Sequence, residues 1–203
     1  VCLFDCRPAD DFGFGRNGGI KAGYMTYSDV ALKAYAQSLG DSESSPTSNP
    51  FEYQRQRANL LEKLKEAVEK FDLNRTYYAR HQFTTEGYDF TRSGYPYGEL
   101  YGSTLPYLST PGNNKVSLYL TTQQRITFIS VPAERAEIYE KRSGTLGNNA
   151  HTLYARVYFR LLPAESYTEN DSHVYRTNIN LLGLDAYEYP HCAYYHLGSG
   201  KAK

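Results

Sequence analysis

Three cysteines and five histidines are the side chains of this chain best suited to hold a metal or make a bond. Cys2 and Cys6 stand near one end, and Cys192 stands near the other with His191 before it and His196 four residues on. Thiolates and imidazoles in two such pairs form a set that zinc accepts, although gaps of three residues are wider than the usual spacing. A disulfide from Cys192 to Cys2 or Cys6 accounts for the same residues and suits an exported chain. The odd count then leaves one thiol over. The disulfide reading is preferred, so no metal and no cofactor is expected.

Catalytic signatures fare worse. Gly13-Phe14-Gly15-Arg16-Asn17-Gly18 spells G-x-G-x-x-G. The dinucleotide fingerprint, however, needs a strand before it and a helix opening at its end, because the helix N-terminus holds the pyrophosphate. Neither flank is predicted here. Asp11-Phe12-Gly13 overlaps that loop and has no His-Arg-Asp catalytic loop to serve. No G-x-S-x-G elbow and no His-Glu-x-x-His occur. Asp10-Asp11, Glu86 with Asp89, and Asp185 with Glu188 are spaced as carboxylate pairs, a pattern that solvated turns and strand edges also produce. No catalytic residue is assigned.

The alternation of tyrosine and arginine is more distinctive. Tyr78 and Arg80, then Tyr154, Arg156, Tyr158 and Arg160, occupy alternate positions of two segments whose other positions are apolar apart from His81. On strands, both sets point away from the core. Tyrosine and arginine stack across strands, and they are also the residue types that dominate protein-binding surfaces. A second cluster, Tyr95, Tyr97, Tyr101 and Tyr107, falls in a stretch rich in Gly, Pro and Asn, where a long excursion would display it.

The elements that carry these residues follow from periodicity. Ser28 caps a first helix through Leu32, Tyr35 and Leu39, stopped by Gly40. Asn49, Pro50 and Glu52 open a second, whose Leu60, Leu61, Leu64, Ala67, Val68 and Phe71 form one apolar stripe up to residue 71. Two-residue alternation then predicts a strand over 76–83, a return strand at Tyr88–Phe90, the excursion over 94–114, and strands near 116–120 and 125–131. Pro132 opens a short third helix. Strands over 151–162 and 174–182 pair as a hairpin, and Gly183 marks a bulge or bend before 184–189. His81 falls on the core side of its strand. The fold class expected is α+β, a mostly antiparallel sheet with helices packed on one face. An irregular Gly-rich N-terminal arm spans 1–23, a single domain 24–197, and a flexible Gly-Ser-Gly-Lys-Ala-Lys tail 198–203.

Composition bounds the function. The 203 residues carry 22 basic and 22 acidic side chains, 21 Tyr, 9 Phe and no Trp. Net neutrality argues against general nucleic-acid binding, which rests on excess positive charge. No apolar run approaches the ~20 residues of a transmembrane helix. The start at Val1 and the cysteine pattern point to an extracytoplasmic protein, periplasmic, surface-bound or secreted. The expectation is a non-enzymatic interaction or structural domain that contacts a protein partner, or its own copies, through the Tyr/Arg sheet face and the Tyr-rich loop. A hydrolase or transferase using dispersed carboxylates and histidines is the alternative, and a glycan- or anion-binding module the second.

Overall fold

The structure, a computed structural model, describes residues 6–8, 14–39, 50–100, 105–109, 117–122, 124–143, 151–163, 174–189 and 195–203. Two helices lead. α2, Asp29–Ser38, begins where the Ser28 hydroxyl accepts the Ala31 amide at 3.3 Å. α3, Pro50–Glu69, buries Tyr53, Leu60, Leu64 and Val68, the stripe read from its sequence. Arg57 Nε ties α3 to Asp29 of α2 at 2.9 Å, and the Tyr35 hydroxyl donates to the Lys63 carbonyl at 3.3 Å.

Ahead of them the described parts of the Gly-rich arm, residues 6–8 and 14–23, pack against the domain. Residues Cys6–Pro8 form β1, a π-helical turn covers Phe14–Gly18, and a single turn α1 covers Gly19–Lys21. Glycine serves contact here. A β-carbon on Gly18 would lie 2.8 Å from both Leu161 and Phe71, so the arm fits only without a side chain there. Tyr24 then staples the segment to the sheet. Its hydroxyl donates to the Leu162 carbonyl at 3.0 Å and accepts the Asn178 amide at 2.8 Å.

The strands are β2 (Thr76–Thr85), β3 (Gly94–Leu100), β4 (Leu105–Ser109), β5 (Ser117–Thr121), β6 (Ile126–Ser130), β7 (His151–Leu161), β8 (Val174–Tyr187) and β9 (His196–Lys201). They pair in the order β1-β2-β7-β8-β9-β6-β3, while β4 pairs with β5 and β5 runs parallel to the first half of β8. Only β1–β2 and β5–β8 are parallel, so the described sheet is mostly antiparallel and the fold is α+β. The sheet curls: Phe83 of β2 meets Tyr97 of β3 edge-on at 4.5 Å, and Thr85 donates to the Pro96 carbonyl. One core cluster joins Leu32, Leu64 and Val68 of the helices to Phe83, Val157 and Phe159 of the strands. α4, Ala133–Ser143, follows Pro132 and buries Ala136 and Tyr139.

Three expectations need correction. Tyr88–Phe90 is no return strand: it is a turn in which Asp89 bridges to Gly94 and accepts the amides of Thr91 and Arg92. A side chain that satisfies its own turn competes with a ladder, and this one does. The stretch 94–114 is no simple excursion either, since β3 and β4 run through it. Pro96 is tolerated because β3 ends the sheet path. The C-terminal residues are not a flexible tail. Gly198–Lys201 belong to β9, between β8 and β6, and Lys203 exchanges backbone bonds with Arg125 at 3.0 and 3.1 Å. The bulge expected at Gly183 is present, as the register slips between Tyr158–Gly183 and Phe159–Leu181.

Candidate functional site

Register assembles the outer face of the sheet. Tyr78 stands opposite Tyr158, Arg80 opposite Arg156, and Gln82 opposite Tyr154 across β2–β7. Across β7–β8, Arg156 faces Asp185 and Tyr154 faces Tyr187; across β8–β9, Asp185 faces Ser199. Partners in a ladder share a face, so the alternation in the sequence becomes one continuous surface.

Much of that surface is occupied with itself. The Arg156 guanidinium lies 5.1 Å from the Tyr78 ring and 5.5 Å from Tyr187, bridging two strands that are not neighbours. Tyr158 is only 5% exposed and donates to Asp185 Oδ2 at 2.8 Å. Tyr78 and Tyr154 are half-buried; Arg80 and Arg160 are exposed. The Tyr-rich stretch behaves differently from the expectation. Tyr95 and Tyr97 are 0% and 2% exposed and belong to the core, so they are not displayed anchors. Burial and the bond to Glu140 Oε1 at 2.8 Å push the Tyr95 hydroxyl far above its ordinary range. Tyr101 lies outside the described residues, and Tyr107 is placed only as a residue of β4. Of the disulfide candidates, Cys6 lies on β1 while Cys2 and Cys192, like His191, lie outside the described residues. Among the described residues no group of three or more His, Cys, Asp or Glu is placed to hold a metal.

At the centre of the face stands a cluster that sequence reasoning did not assemble. Asp185 Oδ1 accepts the Ser199 hydroxyl at 2.6 Å and lies 3.5 Å from His196 Nε2. Burial by itself raises the Asp185 carboxyl, but the bonds from His196, Ser199 and Tyr158 outweigh it and hold the group at about 2. His196 Nδ1 meets Arg135 Nη1 at 3.3 Å. With Arg135 donating there, the imidazole proton sits on Nε2, toward Asp185. Ser, His and Asp are the residues of a hydrolytic triad, yet the wiring differs. Ser199 gives its proton to the carboxylate, 3.4 Å from the imidazole, whereas a triad serine is bonded to the histidine and the carboxylate lies behind it. In this arrangement Ser199 and His196 both turn toward Asp185, which orders the cluster. Asp185 and Glu188 do not act as a pair either, because Glu188 faces Arg142 of α4 at 3.3 Å.

Beside this cluster a cleft of about 790 Å³ opens between β6, β9 and the start of α4. Among the described residues it is lined by Arg92, Arg135, His196, Lys201 and Lys203, with Ser93, Thr127, Ser130 and Ser199, and by no Asp or Glu. Arg92 lies 3.9 Å over the Phe128 ring, which fixes its direction. A smaller hollow of about 340 Å³ lies where Tyr154 meets Arg142, Glu188 and Tyr189. At its rim Tyr195 is 54% exposed, 5.5 Å from Tyr189 and under the Arg142 guanidinium at 4.5 Å.

The signal for the cleft was present in the last six residues. Gly198, Gly200 and Ala202 alternate with Ser199, Lys201 and Lys203, a strand pattern with small residues inward. Glycine content hid it by resembling a linker.

The class defined by these features is an α+β domain with a curled, mostly antiparallel sheet, α2 and α3 packed into its core, and a cluster of cations at the β6–β9 end of its outer face. Residues 28–142, more than half of the chain, match the family described as domain of unknown function DUF4852, and the chain belongs to that family. The match runs from α2 to α4 and takes in Arg92 and Arg135; β7, β8 and β9 follow it in the chain. No curated protein and no solved structure matches the chain.

Proposed function

We propose that the chain is a non-enzymatic interaction domain that docks an acidic partner protein on the outer face of its sheet. One observation carries the reading: the division of charge over a neutral chain. Arg80 and Arg160 are exposed on the face, and Arg92, Arg135, Lys201 and Lys203 gather at its β6–β9 end. The acid at its middle, Asp185, is consumed by Tyr158 and Ser199, and Glu188 by Arg142. A surface of this kind attracts negative charge and repels positive. Arg156, Tyr78 and Tyr187 give it a stiff base, so little side-chain entropy is lost on docking. Export belongs to the same reading and predicts an intrachain disulfide by non-reducing mass spectrometry. The binding test uses labelled poly-L-glutamate with poly-L-lysine as control. Wild-type protein binds the first and not the second, and Arg80→Glu with Arg160→Glu weakens it at least tenfold. Equal affinity for both polymers sinks the proposal. Light scattering of the same samples decides whether the partner is a second copy.

A further inference from the structure

We infer that the cleft between β6, β9 and the start of α4 is a binding site for a ligand with at least two phosphoryl charges, such as a diphosphate. The inference rests on the reading of the outer face as anion-seeking but places a defined site within it. Three observations converge. The cleft's volume, about 790 Å³, falls in the range of small-molecule sites, roughly 300–1,000 Å³. Arg92, Arg135, Lys201 and Lys203 come to it from a turn, a helix, and the last strand with the residues just after it, so three separate parts of the chain bring cations to one space. Among the described residues none of the four is ion-paired to an Asp or Glu side chain. Like charges held together without counterions repel, and the stable filling of such a space is a polyanion. A single carboxylate would neutralise only one of them.

The construction around these cations supports a site over an accident of surface charge. β9 can lie against β6 only because Gly198 and Gly200 lack side chains: a β-carbon on Gly198 would sit 1.9 Å from the Ser130 carbonyl, and one on Gly200 2.9 Å from the Phe128 carbonyl. That close approach brings Lys201 and Ser199 beside Ser130 and Phe128. Arg135 is steadied by His196 Nδ1 and the His196 carbonyl, at 3.3 and 3.4 Å, and His196 in turn by Asp185. Arg92 is steadied over Phe128. Two guanidiniums are thus held in place before a ligand arrives, and guanidinium forks match phosphate oxygens in pairs. Hydroxyls of Ser93, Thr127 and Ser130 supply neutral donors for the remaining oxygens.

The probes are inorganic pyrophosphate, inorganic phosphate and acetate, titrated calorimetrically against the full chain at fixed ionic strength. Pyrophosphate is expected to bind at least tenfold more tightly than phosphate, and acetate not measurably. Lys201→Gln with Lys203→Gln, two exposed side chains with no side-chain bond to another of the described residues, should weaken pyrophosphate at least tenfold at unchanged melting temperature. Arg80→Gln, on the same face but outside the cleft, should leave it unchanged. If pyrophosphate binds no better than acetate, or if Arg80→Gln weakens it as much as the lysine pair does, the site does not exist and only diffuse surface charge remains. Poly-L-glutamate binding that survives such a result keeps the acidic-partner reading while removing the site. Loss of both removes both.

Discussion

Three donors converge on one carboxylate in the middle of the outer face. Tyr158 and Ser199 reach Asp185 at 2.8 and 2.6 Å, and His196 stands 3.5 Å away. Its unfolded value is 3.8 and its folded value about 2, so the ionised carboxylate stabilises the fold above pH 4. That contribution, about 2 kcal/mol, is lost as the pH falls from about 4 through about 2. Asp185→Asn should therefore cost about 2 kcal/mol at pH 7 in urea denaturation, with the difference from wild type shrinking toward pH 2. A constant difference across that window would show that the charge is not what matters. Tyr158→Phe removes one donor and should cost about 1 kcal/mol, since Tyr158 is buried and the ring still packs. Arg156 belongs to the same scale. Its place between Tyr78 and Tyr187 gives half of the alternating Tyr/Arg pattern a structural role, and Arg80 and Arg160 are the exposed cations of that pattern.

Among the elements, β9 decides most. It joins β8 to β6, so it closes a gap that no other described strand fills. Gly198→Ala would drive a β-carbon into the Ser130 carbonyl, and overpacking of this kind costs about 1–3 kcal/mol or more. Gly87→Ala meets nothing within 4 Å and should change stability by less than about 0.5 kcal/mol. Thermal melts of the two variants side by side check the contrast, and similar melting temperatures would remove β9 from its assigned place. Removal of residues 198–203 should expose the edges of both β8 and β6 and produce aggregation on concentration, read by light scattering. The arm makes the same point at the other end. Gly18 admits Leu161 and Phe71, and Tyr24 bonds β7's flank to β8, so a segment with the composition of a linker is part of the packed domain.

At the scale of the whole molecule, the strands that bring β2 and β6 into one sheet are β7, β8 and β9, all beyond residue 142. A fragment of residues 28–142 therefore keeps α2 to α4 but loses the ladder partner of β2 and the β9 neighbour of β6. It should lack dispersed amide resonances in a proton–nitrogen spectrum, and a well-dispersed spectrum would show that the helices and β3–β6 sustain a core by themselves. Local signals made α2, α3, α4, β2, β7 and the bulge at Gly183 legible, because caps, stripes and two-residue alternation act within a few residues. They also placed Tyr78, Arg80, Tyr154, Arg156, Tyr158 and Arg160 on one side of their strands. The burial of Tyr95 and Tyr97 and the meeting of Asp185, Ser199, His196 and Arg135 were not legible, and the alternation at Gly198–Lys201 was masked by its glycines. Each depends on which distant strand supplies the neighbour, and on glycines whose role is to let two backbones touch. Periodicity states which way a side chain points; only the closed sheet states what it points at.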